Sequence, residues 1–184
     1  MSFPAFIDVN AAIRLKSVDF PDADELFALV DANREHLRSW LPWLDVNQSA
    51  ADTRQYIERS KQAAADGVGW NLLVLHQSRL CGTIGFNWID PANRACELGY
   101  WLAAEATGNG LISRSLHALV ELSFSDLELN RINLSVATGN LPSRAVAERL
   151  GFQQEGISRQ AEWLYDHYVD LVRYALLRQN WQPG

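Results

Sequence analysis

The stretch that decides the fold is Glu97-Leu98-Gly99-Tyr100-Trp101-Leu102, followed closely by Thr107-Gly108-Asn109-Gly110-Leu111-Ile112. It predicts a strand, a glycine turn and a helix in succession. Gly108 and Gly110 lack Cβ atoms, so their backbone can adopt positive φ and a ligand can approach closely. Apolar side chains recur at helical spacing from Leu111 to Leu127. Backbone N–H groups at the start of that helix are unpaired and lie at the positive end of its dipole, which suits a phosphate.

The residues around the glycines narrow the choice of phosphate ligand. A P-loop places Lys and then Ser or Thr directly after its last glycine, where this chain has Leu111-Ile112. A dinucleotide fingerprint needs a third glycine, and Ser113 occupies that position. Two alternatives remain for this segment alone: a pyrophosphate held mainly by backbone amides, or an ordinary strand-to-helix turn whose glycines relieve steric strain.

A second strand-to-helix segment follows the first. Residues Arg131 to Val136 alternate as a strand, and Thr138-Gly139-Asn140-Leu141-Pro142-Ser143 leads into a short helix that Gly151-Phe152 closes. Asn, Ser and Pro are common at helix N-termini, so Asn140 and Ser143 are also compatible with simple capping.

The order G-Y-W-L, G-x-G, N-x-x-S, G-F and E-G resembles the GNAT acetyltransferase superfamily, and within it the RimJ/RimL-like branch of ribosomal-protein N-acetyltransferases. The resemblance extends from about Ile13 to Leu177. It implies an α/β (α+β) fold with a mostly antiparallel central sheet, splayed in the middle, and helices on both faces. It also implies that acetyl-CoA is the cosubstrate and that a primary amine is the acceptor, foremost the N-terminal α-amine of a ribosomal protein.

The same resemblance assigns residues to the coenzyme. The pyrophosphate is expected on the turn and the coenzyme arm along the preceding strand and beside the second helix; the expected contacts are Tyr100, Trp101, Leu102, Gly108, Asn109, Gly110, Leu111, Ile112, Asn140 and Ser143. Glu105 stands where the superfamily usually has Gln or Arg, so we do not expect it to touch phosphate.

Two residues are the catalytic candidates. Many superfamily members carry a tyrosine acid seven residues after the motif asparagine, but Ala147 occupies that position here. Ser143 matches the serine that the stalk-protein branch uses near the thiol. Glu162 matches a glutamate of the related enzymes and could accept the amine proton if desolvation raises its pKa. The alternative for Glu162 is an outward-facing strand residue.

The remaining sequence predicts a mixed α/β order. We expect strands at 11–18, 70–76, 80–89, 95–102, 153–162 and 168–177, a helix at 22–33, a shorter helix carrying Trp40, and a helix capped by Ser49 that ends near Gly67.

Composition indicates one domain, residues 1–184, since 48% hydrophobic and 21% charged residues are ordinary for a soluble globular chain. No apolar run reaches membrane-spanning length and no signal peptide is evident, so we expect a cytoplasmic protein. Cys81, Cys96 and the scattered histidines predict buried free thiols and no metal site. The net charge of −6 disfavours nucleic-acid binding.

The sequence says least about the identity of the acceptor. A small amine, an aminoacyl-nucleotide antibiotic, or a non-catalytic acyl-CoA sensor are alternatives to a protein N-terminus. An acidic protein partner would need a local basic patch, for which the candidates are Arg34, Arg38, Arg54 and Arg59. Trp40, Trp43 and Trp163 are candidates for an acceptor cleft. Resemblance to the stalk-protein enzymes also implies a homodimer.

Overall fold

The computed structural model describes residues 3–182. Within that range the strands are Phe6–Asp8 (β1), Ile13–Ser17 (β2), Trp70–His76 (β3), Arg79–Asp90 (β4), Ala95–Leu102 (β5), Arg131–Ala137 (β6), Gln153–Leu164 (β7) and His167–Leu177 (β8). The α-helices are Ala23–Ala32 (α1), Arg34–Arg38 (α2), Ala50–Asp66 (α3), Leu111–Ser125 (α4) and Leu141–Arg149 (α5).

All eight strands form one sheet in the order β1-β2-β3-β4-β5-β6-β8-β7. Every neighbouring pair is antiparallel except β5 and β6, which run parallel. Their pairing lasts for only three residue pairs and ends at Glu97 opposite Asn133. Beyond that point β5 continues beside β4 alone and β6 beside β8 alone. The predicted splay of a mostly antiparallel sheet is therefore confirmed.

Helices cover both faces of the sheet because alternate side chains of each strand point to opposite sides. On β3, Leu72 and Val74 belong to the core that includes Leu116 and Leu119 of α4. The intervening Leu73 instead packs with residues of α1 and α3, among them Ile57. Helix α5 contributes Ala147 to the α4 side. One face thus carries α4 and α5, and the other carries α1 and α3.

The helix and strand predictions agree with the structure except near the N-terminus. Strand β1 was missed because it is a three-residue edge strand with an exposed, partly buried, exposed pattern. The predicted helix carrying Trp40 is wrong: α2 ends at Arg38, and Trp40 lies in the turn that follows. The predicted Ser49 cap is correct, since the Ser49 side chain accepts a hydrogen bond from the Asp52 backbone N–H at 3.2 Å.

No helix within residues 3–182 has both the length and the apolar character needed to cross a membrane.

Candidate active site

A cavity of about 1410 Å³ passes through the gap where β5 and β6 diverge. Strand alternation divides its lining into two halves. Tyr100 and Val136 belong to the core on the α4 and α5 side. Glu97 is three residues before Tyr100, and Ser135 is one residue before Val136. Because side chains alternate between the two faces of a sheet, Glu97 and Ser135 lie on the α1 and α3 side. The splay therefore connects two chemically different compartments that the rest of the sheet keeps apart.

The glycine turn forms one end of the cavity on the α4 side. Gly108 has φ of 78° and Gly110 has φ of 68°, so both use the left-handed conformation that favours glycine. The first turn bond of α4 runs from the Arg114 backbone N–H to the Gly110 carbonyl oxygen, 3.2 Å away. In the described part of the chain no protein acceptor engages the backbone N–H groups of residues 108–113. These amides point a concentrated set of donors at the cavity.

The neighbours of that turn are arranged so that its donors stay accessible. Gly108, Gly110, Leu111 and Ile112 all line the cavity. The Asn109 side chain does not, because its amide turns back to the Thr107 carbonyl oxygen at 3.2 Å. The exposed Glu105 lies 3.5 Å from Arg79.

A hydrogen bond joins the two sides of the splay on the α4 and α5 face. The Tyr100 hydroxyl of β5 lies 2.9 Å from Ser143 Oγ and 3.2 Å from the Ser143 carbonyl oxygen of α5. Desolvation by burial raises the pKa of Tyr100 to about 12. The Asn140 side-chain oxygen accepts from the Ser143 backbone N–H at 3.2 Å, so it does cap α5. Leu102 completes this wall of the cavity, whereas the neighbouring Trp101 lies on the α1 and α3 side of the sheet.

Glu162 reaches the other half of the cavity through a distortion of β7. Pairing with β8 shifts between Ser158, opposite Leu171, and Glu162, opposite Val169. The three intervening residues include Gln160, whose φ is 49° and whose backbone N–H donates to Asp170 Oδ1 at 2.7 Å. The Glu162 side chain is half-buried and lines the cavity. Desolvation raises its pKa, Arg173 opposes that shift and Glu97 adds to it.

A polar network that the sequence analysis did not assign lies beside Glu162. Ser135 donates to Glu97 Oε2 at 2.8 Å and accepts from Arg173 Nη1 at 2.5 Å. Arg173 also donates to Ser158 Oγ at 2.9 Å. Glu97 opens the segment that decides the fold, and its even spacing to Gly99 and Trp101 places all three residues on the α1 and α3 side of β5. That spacing was the available signal, but nothing in the sequence pairs β6 with β8 to bring Arg173 beside it.

Within this network and Glu162 there are two carboxylates and one guanidinium. No ion pair joins Arg173 to either carboxylate among the described residues; its recorded partners are the two serine hydroxyls. With both carboxylates ionised, these three side chains together carry one net negative charge, which favours a cation beside them.

Aromatic residues form the wall opposite this network. Trp40 and Trp43 line the cavity, and Trp43 lies 6.2 Å from the Trp101 ring. Trp163 is 51% exposed and packs against Tyr168 instead, because it follows Glu162 by one residue and points to the other face. The prediction of Trp163 as a cleft residue is therefore wrong, whereas Trp40 and Trp43 do line the cavity.

Three of the four arginines that were candidates for a basic patch are paired with acidic side chains. Arg34 pairs with Asp31, Arg38 with Asp45, and Arg54 with Asp24. Within residues 3–182, Arg59 has no ion pair, and it lines the cavity. The two cysteines are free, with Cys96 buried and Cys81 partly buried. No cluster of three metal-ligating side chains occurs in the described part of the chain.

Comparison with known proteins defines the class. The family model described as Acetyltransferase (GNAT) domain matches residues 13–153. The chain belongs to the GNAT acetyltransferase family, and the predictions of fold class and of an acyltransferase are confirmed.

Individual relatives narrow the resemblance within that family. The chain is 37% identical over 176 residues to a putative ribosomal N-acetyltransferase, YdaF, of Bacillus subtilis (strain 168), covering 95% of this chain and 96% of that one. It is 34% identical over 169 residues to a ribosomal-protein-serine acetyltransferase of Escherichia coli (strain K12), covering 92% and 94%. A solved structure of RimL, a ribosomal L7/L12 α-N-protein acetyltransferase in complex with coenzyme A, superimposes with a TM-score of 0.91 at 31% identity, covering 94% and 97%.

Proposed function

We propose that this enzyme transfers the acetyl group of acetyl-CoA to the N-terminal α-amine of a protein, such as a ribosomal protein. The observation that carries the proposal is the position of Glu162. It is a half-buried carboxylate with a raised pKa, it faces the splay, and no protein donor within residues 3–182 engages it. A carboxylate in that condition is available to accept a proton from an amine.

The α4 side of the cavity fits the coenzyme. Unpaired backbone N–H groups at the start of α4 suit the pyrophosphate, and the left-handed glycines allow it to approach the backbone. Between Leu98 and Leu102, β5 has no partner on its β6 side, so its free backbone groups can bind the amides of the pantetheine arm as an added strand would. The Asn140 side-chain oxygen is occupied by capping, which leaves its NH₂ group to donate to that arm.

When bound, the coenzyme supplies an acetyl thioester. The protein positions the acceptor amine and accepts its proton. Glu97, Glu162 and Arg173 present one net negative charge to the acceptor, which attracts an ammonium group. Glu162 takes the proton that the amine must lose before it can attack. Ser143 stabilises the sulfur as the C–S bond breaks. The acid tyrosine of other superfamily members is absent at Ala147, so Ser143 is the hydroxyl available to the sulfur from α5.

The acceptor compartment fits the ammonium group of a protein N-terminus, with its neighbouring side chain, better than it fits an ammonium group alone. Trp40, Trp43 and Trp101 give it an apolar wall for the side chain next to the amine. The ion pairs of Arg34, Arg38 and Arg54 remove the cationic surface that a strongly acidic partner would need. Recognition is therefore expected to centre on the first residues of the acceptor. The ribosomal-protein enzymes among the relatives support this class of acceptor.

Thiol release from acetyl-CoA, measured against a panel of acceptors, tests the proposal. The panel contains peptides with free N-termini, the same peptides blocked at the N-terminus but carrying a lysine, and small amines. We expect turnover only with free N-termini. Turnover confined to small amines or aminoacyl nucleotides would favour a detoxifying enzyme. Tight coenzyme binding with no turnover on any acceptor would favour a non-catalytic sensor.

A homodimer is a second part of the proposal. It rests on resemblance to the stalk-protein enzymes and on exposed apolar residues of β7, where Ile157 is 53% and Trp163 51% exposed. Light scattering at micromolar concentration should give about twice the 20.7 kDa chain mass. A monomer mass that persists at high concentration would contradict it.

A further inference from the structure

Three oxygen atoms form a small triangle at the splay on the α4 and α5 side. The Tyr100 hydroxyl lies 2.9 Å from Ser143 Oγ and 3.2 Å from the Ser143 carbonyl oxygen. Tyr100 belongs to β5 and Ser143 to the first turn of α5, so the contact spans 43 residues of sequence and bridges the gap. Both side chains line the cavity.

The triangle permits two arrangements of its hydrogens. In the first, the Tyr100 hydroxyl donates to the carbonyl oxygen and Ser143 donates to Tyr100, which directs the Ser143 hydrogen away from the cavity. In the second, Tyr100 donates to Ser143 Oγ along the shorter contact, and the Ser143 hydrogen is free to point into the cavity. These are the two arrangements in which the 2.9 Å contact between the hydroxyls is a hydrogen bond, since one hydroxyl or the other must donate and the carbonyl oxygen can only accept.

We propose that Tyr100 is a positioning residue that turns the Ser143 hydroxyl toward the coenzyme sulfur as the thiolate forms. The proposal rests on the role of Ser143 in the proposed function. A thioester sulfur is a weak acceptor, whereas a thiolate is a strong one, so the second arrangement gains most after the C–S bond has broken. An interaction that strengthens in this way accelerates the reaction instead of only tightening binding.

The hydroxyl pair donates hydrogen bonds and transfers no proton. The electron pair of the broken C–S bond stays on sulfur. Glu162 takes the first proton from the ammonium group and passes it to solvent, and it then takes the second proton, which the nitrogen loses as the amide forms. Donation from Tyr100 polarises the Ser143 hydroxyl and makes it a better donor. Because burial raises the pKa of Tyr100 to about 12, its hydroxyl keeps its hydrogen at any pH at which the enzyme would be assayed. Tyr100 of β5 thus supplies a second hydroxyl near the sulfur. In this chain Ala147 stands where many superfamily members have the tyrosine acid.

Titration of the bound coenzyme thiol tests this role without any acceptor. The thiolate absorbance of bound CoA is followed against pH, with desulfo-CoA as the blank, for the wild type, Tyr100→Phe, Ser143→Ala and the double variant. Tyr168→Phe removes an exposed hydroxyl from the β8 end and is the matched control. Calorimetry measures CoA affinity in parallel.

We expect the wild-type protein to raise the acid dissociation constant of the bound thiol about tenfold over free CoA, as one charge-assisted hydrogen bond would. Ser143→Ala should abolish the effect, Tyr100→Phe should reduce it, and the double variant should equal Ser143→Ala. CoA affinity should change less than about threefold in Tyr100→Phe.

An unchanged thiol titration in Tyr100→Phe, additive effects in the double variant, or loss of CoA binding in Tyr100→Phe would each overturn the positioning role. These results leave the proposed acetyl transfer standing, because the titration involves no acceptor. Failure of the wild-type protein to bind CoA would contradict both.

Discussion

At the scale of single residues, the surroundings of a side chain decide whether it can take part in the chemistry. Glu162 and Glu155 both belong to β7, but Glu155 is paired with Arg131, which holds its pKa below the ordinary value. Glu162 is desolvated without a paired cation, and its pKa is raised. The sequence singled out Glu162 only through family resemblance, since both are strand glutamates. It could not indicate which of the two would lack a partner.

Replacing Glu162 with Gln keeps the size and hydrogen-bonding capacity of the side chain but removes its basicity. Turnover should fall about 10²-fold or more with acetyl-CoA affinity nearly unchanged. Because the carboxylate form exists only above the raised pKa, wild-type kcat/KM should rise with pH through that value, and Glu162→Gln should lose this rise. Glu121→Gln, an exposed change on α4, is the control. Wild-type turnover in Glu162→Gln would show that another group accepts the proton.

At the scale of elements, periodicity predicted most strands and helices, but the distortions that build the site were not predictable. The splay follows from family resemblance, not from the alternation of β5 or β6. The irregular pairing that orients Glu162 depends on Gln160 at positive φ and on its bond to Asp170, a residue on another strand. Local sequence carries no signal for such a contact. The network around Arg173 was missed for the same reason.

Arg173 on β8 should lower the pKa of Glu162 on the neighbouring strand β7. Its positive charge lowers the pKa of Glu162, so Arg173→Met should raise that pKa and move the rising limb of kcat/KM to higher pH. Arg159→Met, an exposed change on β7, is the matched control and should leave the limb in place. A limb that stays in place, or moves to lower pH, in Arg173→Met would contradict this coupling.

The role of Gly108 in the turn before α4 can be tested against Gly151, which has a similar backbone conformation. Gly108 and Gly151 have φ of 78° and 81°, and neither has an atom within 4 Å of the position that a Cβ would take. Alanine at either position should cost about 1–2 kcal/mol of stability from left-handed strain. Only Gly108→Ala should also weaken acetyl-CoA binding, by about tenfold, because its methyl group lies beside the proposed pyrophosphate site. Equal affinities in the two variants, measured by calorimetry, would remove the turn from the binding site.

At the scale of the whole molecule, the sheet separates two compartments and joins them at one gap. The α4 side offers backbone donors and the Tyr100–Ser143 pair, and the α1 side offers Glu97, Glu162 and an aromatic wall. Motif order was enough to predict the family and its cosubstrate, acetyl-CoA. The polar network of the α1 side was not predicted because Glu97, Ser135 and Arg173 come from distant segments that only the tertiary fold brings together. The same limit applies to the candidate basic patch, because the acidic partners of Arg34, Arg38 and Arg54 were not evident from the sequence.

In the proposed reaction, one acetyl group passes through the splay to an α-amine. Mass spectrometry of a peptide that carries both a free N-terminus and an internal lysine, incubated with acetyl-CoA and the enzyme, tests this directly. We expect a single added acetyl group, located on the N-terminal residue by fragmentation, and greatly slowed addition with Glu162→Gln. Acetylation of the lysine in preference to the N-terminus, or equal rates for the wild type and Glu162→Gln, would contradict it.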